Sequence, residues 1–292
     1  MKKNSLLIFI TAITLIACAD NPKIKEIEFS NYHKSEDHQH RKDSIPVIYV
    51  AVSTMISPME TFNLYKDVMD YISKHLGIQI EFKQRKTYRE VNDLLAENKL
   101  DLAFICTGAY LEARNEIPIE ILAVPVVNGK PYYQAYVIAN EESQISEINQ
   151  LKGKSFAFTD PLSNTGYSYI INYLKEKNTS PERFFSKTIF TYAHDYSIQA
   201  VKRKIVDGAT VDGLVFEYLK HFQPEKIAGV KVILKSREFG IPPFVIQKNL
   251  DNNIKQKLRS VMLNMHNDPE GKKLLSEIMI DKFILADDSI YR

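Results

Sequence analysis

Apolar residues recur along this chain with two alternating periods. Val47-Ile48-Tyr49-Val50-Ala51-Val52 is a short continuous run, the pattern of a buried strand. Phe62, Tyr65, Val68, Met69, Ile72 and Leu76 follow at spacings of an amphipathic helix. Ser57-Pro58-Met59-Glu60 ahead of them reads as a capping box with proline at the first helical position. The alternation continues. Ile78 to Phe82 predicts a strand, and Thr87-Tyr88-Arg89-Glu90 predicts a second capped helix with Val91, Leu94 and Leu95 inward. Leu100 to Ile105 predicts a strand, Thr107-Gly108-Ala109-Tyr110 opens a helix, and Ile119 to Val127 predicts another strand. From Pro131 to Asn140, strict alternation puts Tyr132, Gln134 and Tyr136 on one face and Tyr133 on the other. Ile145 to Lys154 predicts a short helix.

The second half repeats the scheme. Ser155 to Thr159 predicts a strand, and Tyr167, Ile170, Ile171 and Leu174 predict a helix. Ser180-Pro181 starts a further helix. Lys187 to Tyr192 predicts a strand, and His194-Asp195 leads into a helix with Ile198 and Val201 inward. Val206 to Gly213 predicts a strand with Asp212 at its C-terminal end, and Val230 to Leu234 predicts one more. Two helices close the chain, the first with Ile254, Leu258 and Met262 inward. Strands alternating with helices predict the α/β class with largely parallel sheets.

The N-terminus departs from this pattern. Lys2 and Lys3 precede an apolar run from Leu6 to Ala17, too short to span a bilayer as a helix. It reads as a signal peptide over residues 1–17. Leu15-Ile16-Ala17-Cys18 resembles the bacterial lipobox, which implies cleavage before Cys18 and its lipidation. Residues 18–44 are polar and charged, which predicts a tether. His33, His38 and His40 lie in it without rigid geometry, so no metal site is expected. Cleavage would leave 36 basic and 36 acidic side chains, because Lys2 and Lys3 are lost. A neutral balance argues against a nucleic-acid partner and makes any anion site local. The remaining cysteine, Cys106, then has no partner for an internal disulfide.

The stretch between the two patterns at mid-chain carries the chemistry. Asp160-Pro161-Leu162-Ser163-Asn164-Thr165-Gly166-Tyr167 joins a strand to a helix start. The first N–H groups of a helix lack internal partners and carry partial positive charge, so such an end can hold an oxyanion without Lys or Arg. Ser163 and Thr165 can add hydroxyl donors, Asn164 an amide, and Gly166 lets a ligand oxygen approach the backbone. An ordinary N-cap made by Ser163 or Asn164, with no ligand, explains the same residues.

Asp-Pro-x-Ser-x-Thr-Gly after a strand resembles the D-P-x-S-x-S-G motif of the periplasmic phosphonate/phosphite-binding proteins of ABC transporters, with Thr165 in place of a serine. The resemblance runs from about Val47 to Tyr291. It implies a two-lobe periplasmic-binding fold, each lobe a mainly parallel sheet flanked by helices. Lobe 1 would comprise residues 45–138 and 240–292 and lobe 2 residues 139–239, with hinge crossings near Ile138 and Ile241. It also implies ligand positions: Ser53 and Thr54 in the turn after the first strand, Thr107 and Tyr110 at "DIA…G…Y", Tyr133 over the ligand, His194 and Asp195, and Asp212 at the end of a "V-D-x-A-x-x-D" strand. Ser53 and Thr54 could equally satisfy turn backbone, and Asp195 could cap its helix. Asp212 could hold an ammonium group or the proton of a monoprotonated oxyanion. The implied function is capture of a phosphorus oxyanion by a monomeric, lipid-anchored protein of the cell envelope, with no cofactor and no catalysis, for an ABC permease and its ATPase.

Two other readings stay open. A sensor would bind the same ligand and report to a membrane partner. A serine hydrolase would use Ser163, His194 and Asp195; it lacks a G-x-S-x-G elbow, and adjacent His and Asp side chains rarely converge on one point.

Overall fold

The computed structural model describes residues 46–291. The expected signal peptide, lipidated Cys18 and tether lie outside the described residues. The chain begins β1 (Val47–Val52), α1 (Pro58–Leu76), β2 (Gln79–Phe82), α2 (Tyr88–Ala96), β3 (Leu102–Phe104), α3 (Thr107–Ala113) and β4 (Ile119–Val126). Two short strands follow, β5 (Tyr132–Tyr133) and β6 (Ala135–Asn140). The middle comprises β7 (Ser155–Phe158), α4 (Tyr169–Glu176), α5 (Pro181–Phe184), β8 (Lys187–Phe190), α6 (His194–Lys202) and β9 (Gly208–Asp212). Then come α7 (Gly213–Phe222), α8 (Pro224–Ile227), β10 (Val230–Lys235), β11 (Phe239–Gly240), β12 (Phe244–Gln247), α9 (Asn252–Asn264), α10 (Pro269–Glu277) and β13 (Lys282–Ile284). The helix expected over 145–154 is only a 3-10 turn, Ile148–Leu151.

A six-stranded sheet, order β13-β4-β12-β3-β1-β2, forms lobe 1, and a five-stranded sheet, order β10-β6-β9-β7-β8, forms lobe 2. β1 pairs in parallel with β2 and β3, and β7 with β8 and β9. The other pairings within these sheets are antiparallel. The sheets are therefore mixed, where the strand–helix alternation predicts largely parallel ones. The cause is topological. β6 and β12 come straight from the crossings between lobes, with no helix to reverse them, and each is inserted antiparallel between two other strands.

Each crossing is a short strand, and the two pair with each other, Tyr133 with Phe239 and Tyr132 with Gly240. The first crossing ends at Gln134, four residues before the expected Ile138, because Ala135 already pairs with Asp212 in the second sheet. Gln134 turns its amide to the Ser236 carbonyl. The alternation restarts there, so Tyr133 and Tyr136 line one cleft instead of opposite faces.

The cores follow the apolar pattern. In lobe 1, Phe104 stacks on Phe244 with centroids 4.5 Å apart, and Phe283 meets Phe244 edge-on at 5.5 Å. In lobe 2, Phe156 stacks on Phe185 at 4.3 Å. Each such buried side chain contributes roughly 1.5–3 kcal/mol. Thr87 and Glu90 form the predicted capping box of α2. Ser57 and Glu60 do not: Ser57 makes no cap hydrogen bond. Instead Glu60 pairs with Lys226 of lobe 2, and Ser57 lies beside the Asp195 carboxylate.

These contacts belong to a set that presses the lobes together. The Tyr88 N–H donates to Asp160 Oδ2 at 3.2 Å, and the His194 N–H donates to the Met55 carbonyl at 2.9 Å. At Gly108 the approach leaves no room for a side chain: a Cβ there would run into the Leu162 carbonyl and lie 2.9 Å from the Asn164 nitrogen. Gly108→Val is therefore expected to wedge the lobes apart. Small-angle scattering should give a larger radius of gyration than the wild type, with a melting temperature lowered only by the few degrees that roughly 1 kcal/mol produces. An unchanged radius would mean that Leu162 yields and the contact does not set the spacing.

Candidate functional site

The central turn sits where the C-terminal end of β7 meets lobe 1. Its first helical turn, Asn164–Ser168, is a π-turn, and α4 continues from it. The Ser168 N–H reaches back five residues to the Ser163 carbonyl at 3.0 Å. Such wide turns leave more backbone N–H groups at the helix mouth. Ser163 Oγ accepts from the Gly166 N–H at 2.9 Å, so Ser163 is the N-cap. Its own hydroxyl hydrogen stays free to donate elsewhere. Asn164 Nδ2 and Thr165 Oγ1 are buried with no partner in the protein.

Gly166 is closely packed within lobe 2. A Cβ there would lie 2.6 Å from the Thr159 Cβ and 2.8 Å from His194 Cε1. The missing side chain makes room for Thr159 and the His194 ring. His194 is wholly buried. Its Nδ1 accepts the Asp212 backbone N–H at 3.0 Å, and the Thr159 hydroxyl lies 3.0 Å from the same nitrogen. An accepting Nδ1 assigns the proton to Nε2. Burial pushes the imidazole down to about 3, so the ring is neutral. His194 thus presents an N–H donor at Nε2, which has no partner in the protein.

Asp212 ends β9 and caps α7, its Oδ1 accepting from the Leu214 N–H at 2.7 Å. Burial pushes its carboxyl up to about 7, against backbone hydrogen bonds from Leu214 and Val215 that favour the ion. Lobe 1 supplies Ser53, whose N–H is fixed by the Phe104 carbonyl at 2.8 Å and whose Oγ is buried without a partner. The hydroxyl of Tyr133 is likewise buried and unpaired by good geometry, although it lies beside Thr107 and Asn164. Burial pushes its phenol well above the ordinary range, so it remains a donor.

The other expected positions have partners or neighbours within the protein. Thr54 Oγ1 donates to the Arg85 carbonyl at 2.7 Å. Thr107 Oγ1 donates to the Gly240 carbonyl at 2.8 Å, tying α3 to the return crossing. Tyr110 bonds the Asp288 carboxylate and packs on Tyr291, which fastens the C-terminal segment. Asp195 faces Ser57, Glu60 and Lys226, an interlobe contact. Tyr88 was not anticipated. It is fully buried, and its hydroxyl has no partner. As the first residue of α2 it follows the apolar period of Val91 and Leu95, so the pattern marks it as core. Tyr65 and Tyr218, also read as core or not at all, line a cleft of about 340 Å3 together with Ser53, Tyr133 and Asp212.

Two opposed titrations follow from this geometry. Folded Asp212 keeps a proton up to about 7, whereas the unfolded chain loses it near 3.8. It therefore costs stability progressively as pH rises through that window. Folded His194 refuses a proton down to about 3, whereas the unfolded chain binds one near 6.5. It costs stability as pH falls through that window. Between about pH 4 and 6.5 the two slopes oppose each other. Asp212→Asn should lose stability on acidification more steeply than the wild type, and His194→Gln less steeply. Denaturant melts across that range test both, and a wild-type slope in Asp212→Asn would place the Asp212 carboxyl in water.

Known proteins share this arrangement of elements. The family model described as "ABC transporter, phosphonate, periplasmic substrate-binding protein" matches residues 50–291. The chain is 29% identical over 212 residues to the phosphonates-binding periplasmic protein of Escherichia coli, which covers 71% of this chain and 62% of that one. It is 26% identical over 208 residues to the phosphate-import protein PhnD of Mycolicibacterium smegmatis, covering 68% and 65%. The match thus spans slightly less than two thirds of each curated relative. Among solved structures, a binding-protein component of an ABC phosphonate transporter from Pseudomonas aeruginosa superposes with a TM-score of 0.80 at 29% identity, covering 84% of this chain and 83% of that one. PhnD1 from Prochlorococcus marinus, solved in complex with methylphosphonate, shares the fold with a TM-score of 0.78 at 18% identity, covering 84% and 94%. With its two-lobe α/β fold and its central turn, the chain belongs to the periplasmic phosphonate-binding family of ABC-transporter substrate-binding proteins.

Proposed function

We propose that this protein captures a phosphorus oxyanion, such as a phosphonate, phosphite or phosphate ester, between its lobes and delivers it to an ABC permease. One observation carries the reading. Among the buried donors of the described residues that lack a partner in the protein are these six: Ser53 Oγ, Tyr88 OH, Tyr133 OH, Asn164 Nδ2, Thr165 Oγ1 and His194 Nε2. Buried polar groups are nearly always paired, because desolvation without a hydrogen bond is costly. These six belong to the two faces that meet at the central turn, and none is a cation. Together with the helix-mouth N–H groups they suit an acceptor-rich anion. The family membership points the same way.

The same geometry opposes a hydrolase. His194 Nδ1 accepts the Asp212 backbone N–H and lies 3.0 Å from the Thr159 hydroxyl, so it has no proton to give Asp195. Asp195 lies beside Ser57, across the interlobe contact. The anchor belongs to this proposal too: lipidation at Cys18 would hold the protein at the outer face of a membrane. Each methylene of a buried acyl chain adds roughly 0.8 kcal/mol to that hold.

Two experiments bear on this reading. Thr165→Ala removes one neutral donor to a charged acceptor, worth roughly 1.5–3 kcal/mol. Titration calorimetry with phosphate, phosphite, methylphosphonate and 2-aminoethylphosphonate should show affinity for the bound compounds falling about ten- to a hundred-fold. Thr54→Ala, whose hydroxyl holds Arg85, should bind as the wild type does. Equal affinity in Thr165→Ala would remove the turn from the site. For the anchor, Cys18→Ser should release the protein from the membrane fraction or block its processing; normal retention and processing would exclude lipidation there.

A further inference from the structure

Two of the unpartnered donors, Ser53 and Tyr133, also line a larger space. The cleft that shares Ser53, Tyr133 and Asp212 has a volume of about 340 Å3. Phosphite or methylphosphonate, with four or five heavy atoms, fills on the order of 100 Å3 when each atom takes somewhat less than a water's ~30 Å3. The remainder has its own walls. Leu64 and Tyr65 of α1 form one side, Val215 and Tyr218 of α7 the other, and Ile278 and Ile280 part of the floor. These walls come from both lobes, so whatever lies between them is covered when the lobes meet.

The charged groups at this cleft are already engaged. Glu217 accepts from the Tyr136 hydroxyl at 3.2 Å and has Lys220 at 3.9 Å. Glu238 pairs with Lys130 at 2.8 Å. The Asp212 carboxyl holds the Leu214 N–H. A second phosphate would face carboxylates, and an ammonium group would compete with these existing partners. An apolar group would meet side chains that water solvates poorly.

Resting on the oxyanion reading above, we propose that this cleft takes a phosphonate or phosphate monoester bearing an uncharged, apolar substituent about the size of an aromatic ring. Tyr65 and Tyr218 would flank that substituent, while Ser53 and Tyr133 hold the phosphoryl oxygens.

Calorimetry of the wild-type protein with phosphite, methylphosphonate, 2-aminoethylphosphonate and phenylphosphonate tests it. Phenylphosphonate should bind at least about tenfold tighter than methylphosphonate, the scale at which apolar pockets discriminate. Leu64→Trp fills the space and should cost phenylphosphonate about tenfold while methylphosphonate stays within roughly twofold. Should melting curves show Leu64→Trp unfolded, Tyr218→Ala replaces it, again with a loss confined to phenylphosphonate. Equal or tighter binding of methylphosphonate, phosphite or 2-aminoethylphosphonate overturns the apolar substituent and leaves the oxyanion site standing. Equal losses for both ligands in the variants overturn it as well. No binding of any of the four compounds overturns the oxyanion reading, and this inference with it.

Discussion

An oxyanion held in a dry place without a cation needs neutral donors that are aimed before it arrives. In the proposed function, the unpartnered donors at the centre of this protein meet that constraint. The most demanding piece is His194. A charged imidazolium would attract an anion strongly, but burial forbids it. The ring is used as a neutral donor, and its direction is set by the Asp212 N–H on the far nitrogen. Gly166 is small because that ring must lie against the start of the helix. Pre-aimed dipoles in a low-dielectric setting are worth more than the same groups in water, since they need no reorganisation.

The lobe interface provides the dryness. Its polar contacts repeatedly join a helix start on one lobe to an acceptor on the other. Asp160 of the central turn meets the N–H of Tyr88 at the start of α2, and the Met55 carbonyl meets the N–H of His194 at the start of α6. Free N–H groups and the positive ends of helix dipoles are thus gathered around one region. Closing the lobes satisfies some of these groups and leaves the rest facing the oxyanion position. Opening them would return both sets to water, so in the proposed function capture and lobe closure are physically one process.

The six unpaired donors also explain the mixture of residue types. Hydroxyls, an amide and an imidazole N–H can each donate without carrying charge. The chain as a whole is nearly neutral, so no global field assists them. Selection among anions must then come from geometry and from what lies in the adjoining cleft. Asp212 contributes an unusual element, a carboxyl that burial holds near neutrality. A group able to give or take a proton beside an oxyanion distinguishes ligands by protonation as well as by shape.

By itself the sequence determined the order and kind of the elements, because hydrophobic periodicity is a local property written into residue spacing. It marked the central turn with Asn164 and Thr165, since strand, hydroxyl-rich turn and amphipathic helix are adjacent in the chain, while Ser53, Tyr133, His194 and Asp212 were named through the resemblance to a known family. Only the tertiary structure decided the rest. The mixed sheets arise from β6 and β12 entering directly from the crossings, which no local pattern records. The Ser57–Glu60 pattern looks like a capping box, yet Lys226 and Asp195 from the other lobe engage it. Thr54, Thr107 and Tyr110 carry suitable groups, but carbonyls or carboxylates brought from distant segments occupy them. Tyr88 is the converse: its apolar spacing marks the ring as core, and only the packed lobes leave its hydroxyl without a partner. Whether a donor is free or taken depends on which atoms arrive from tens to hundreds of residues away, and that information exists only once the chain is folded.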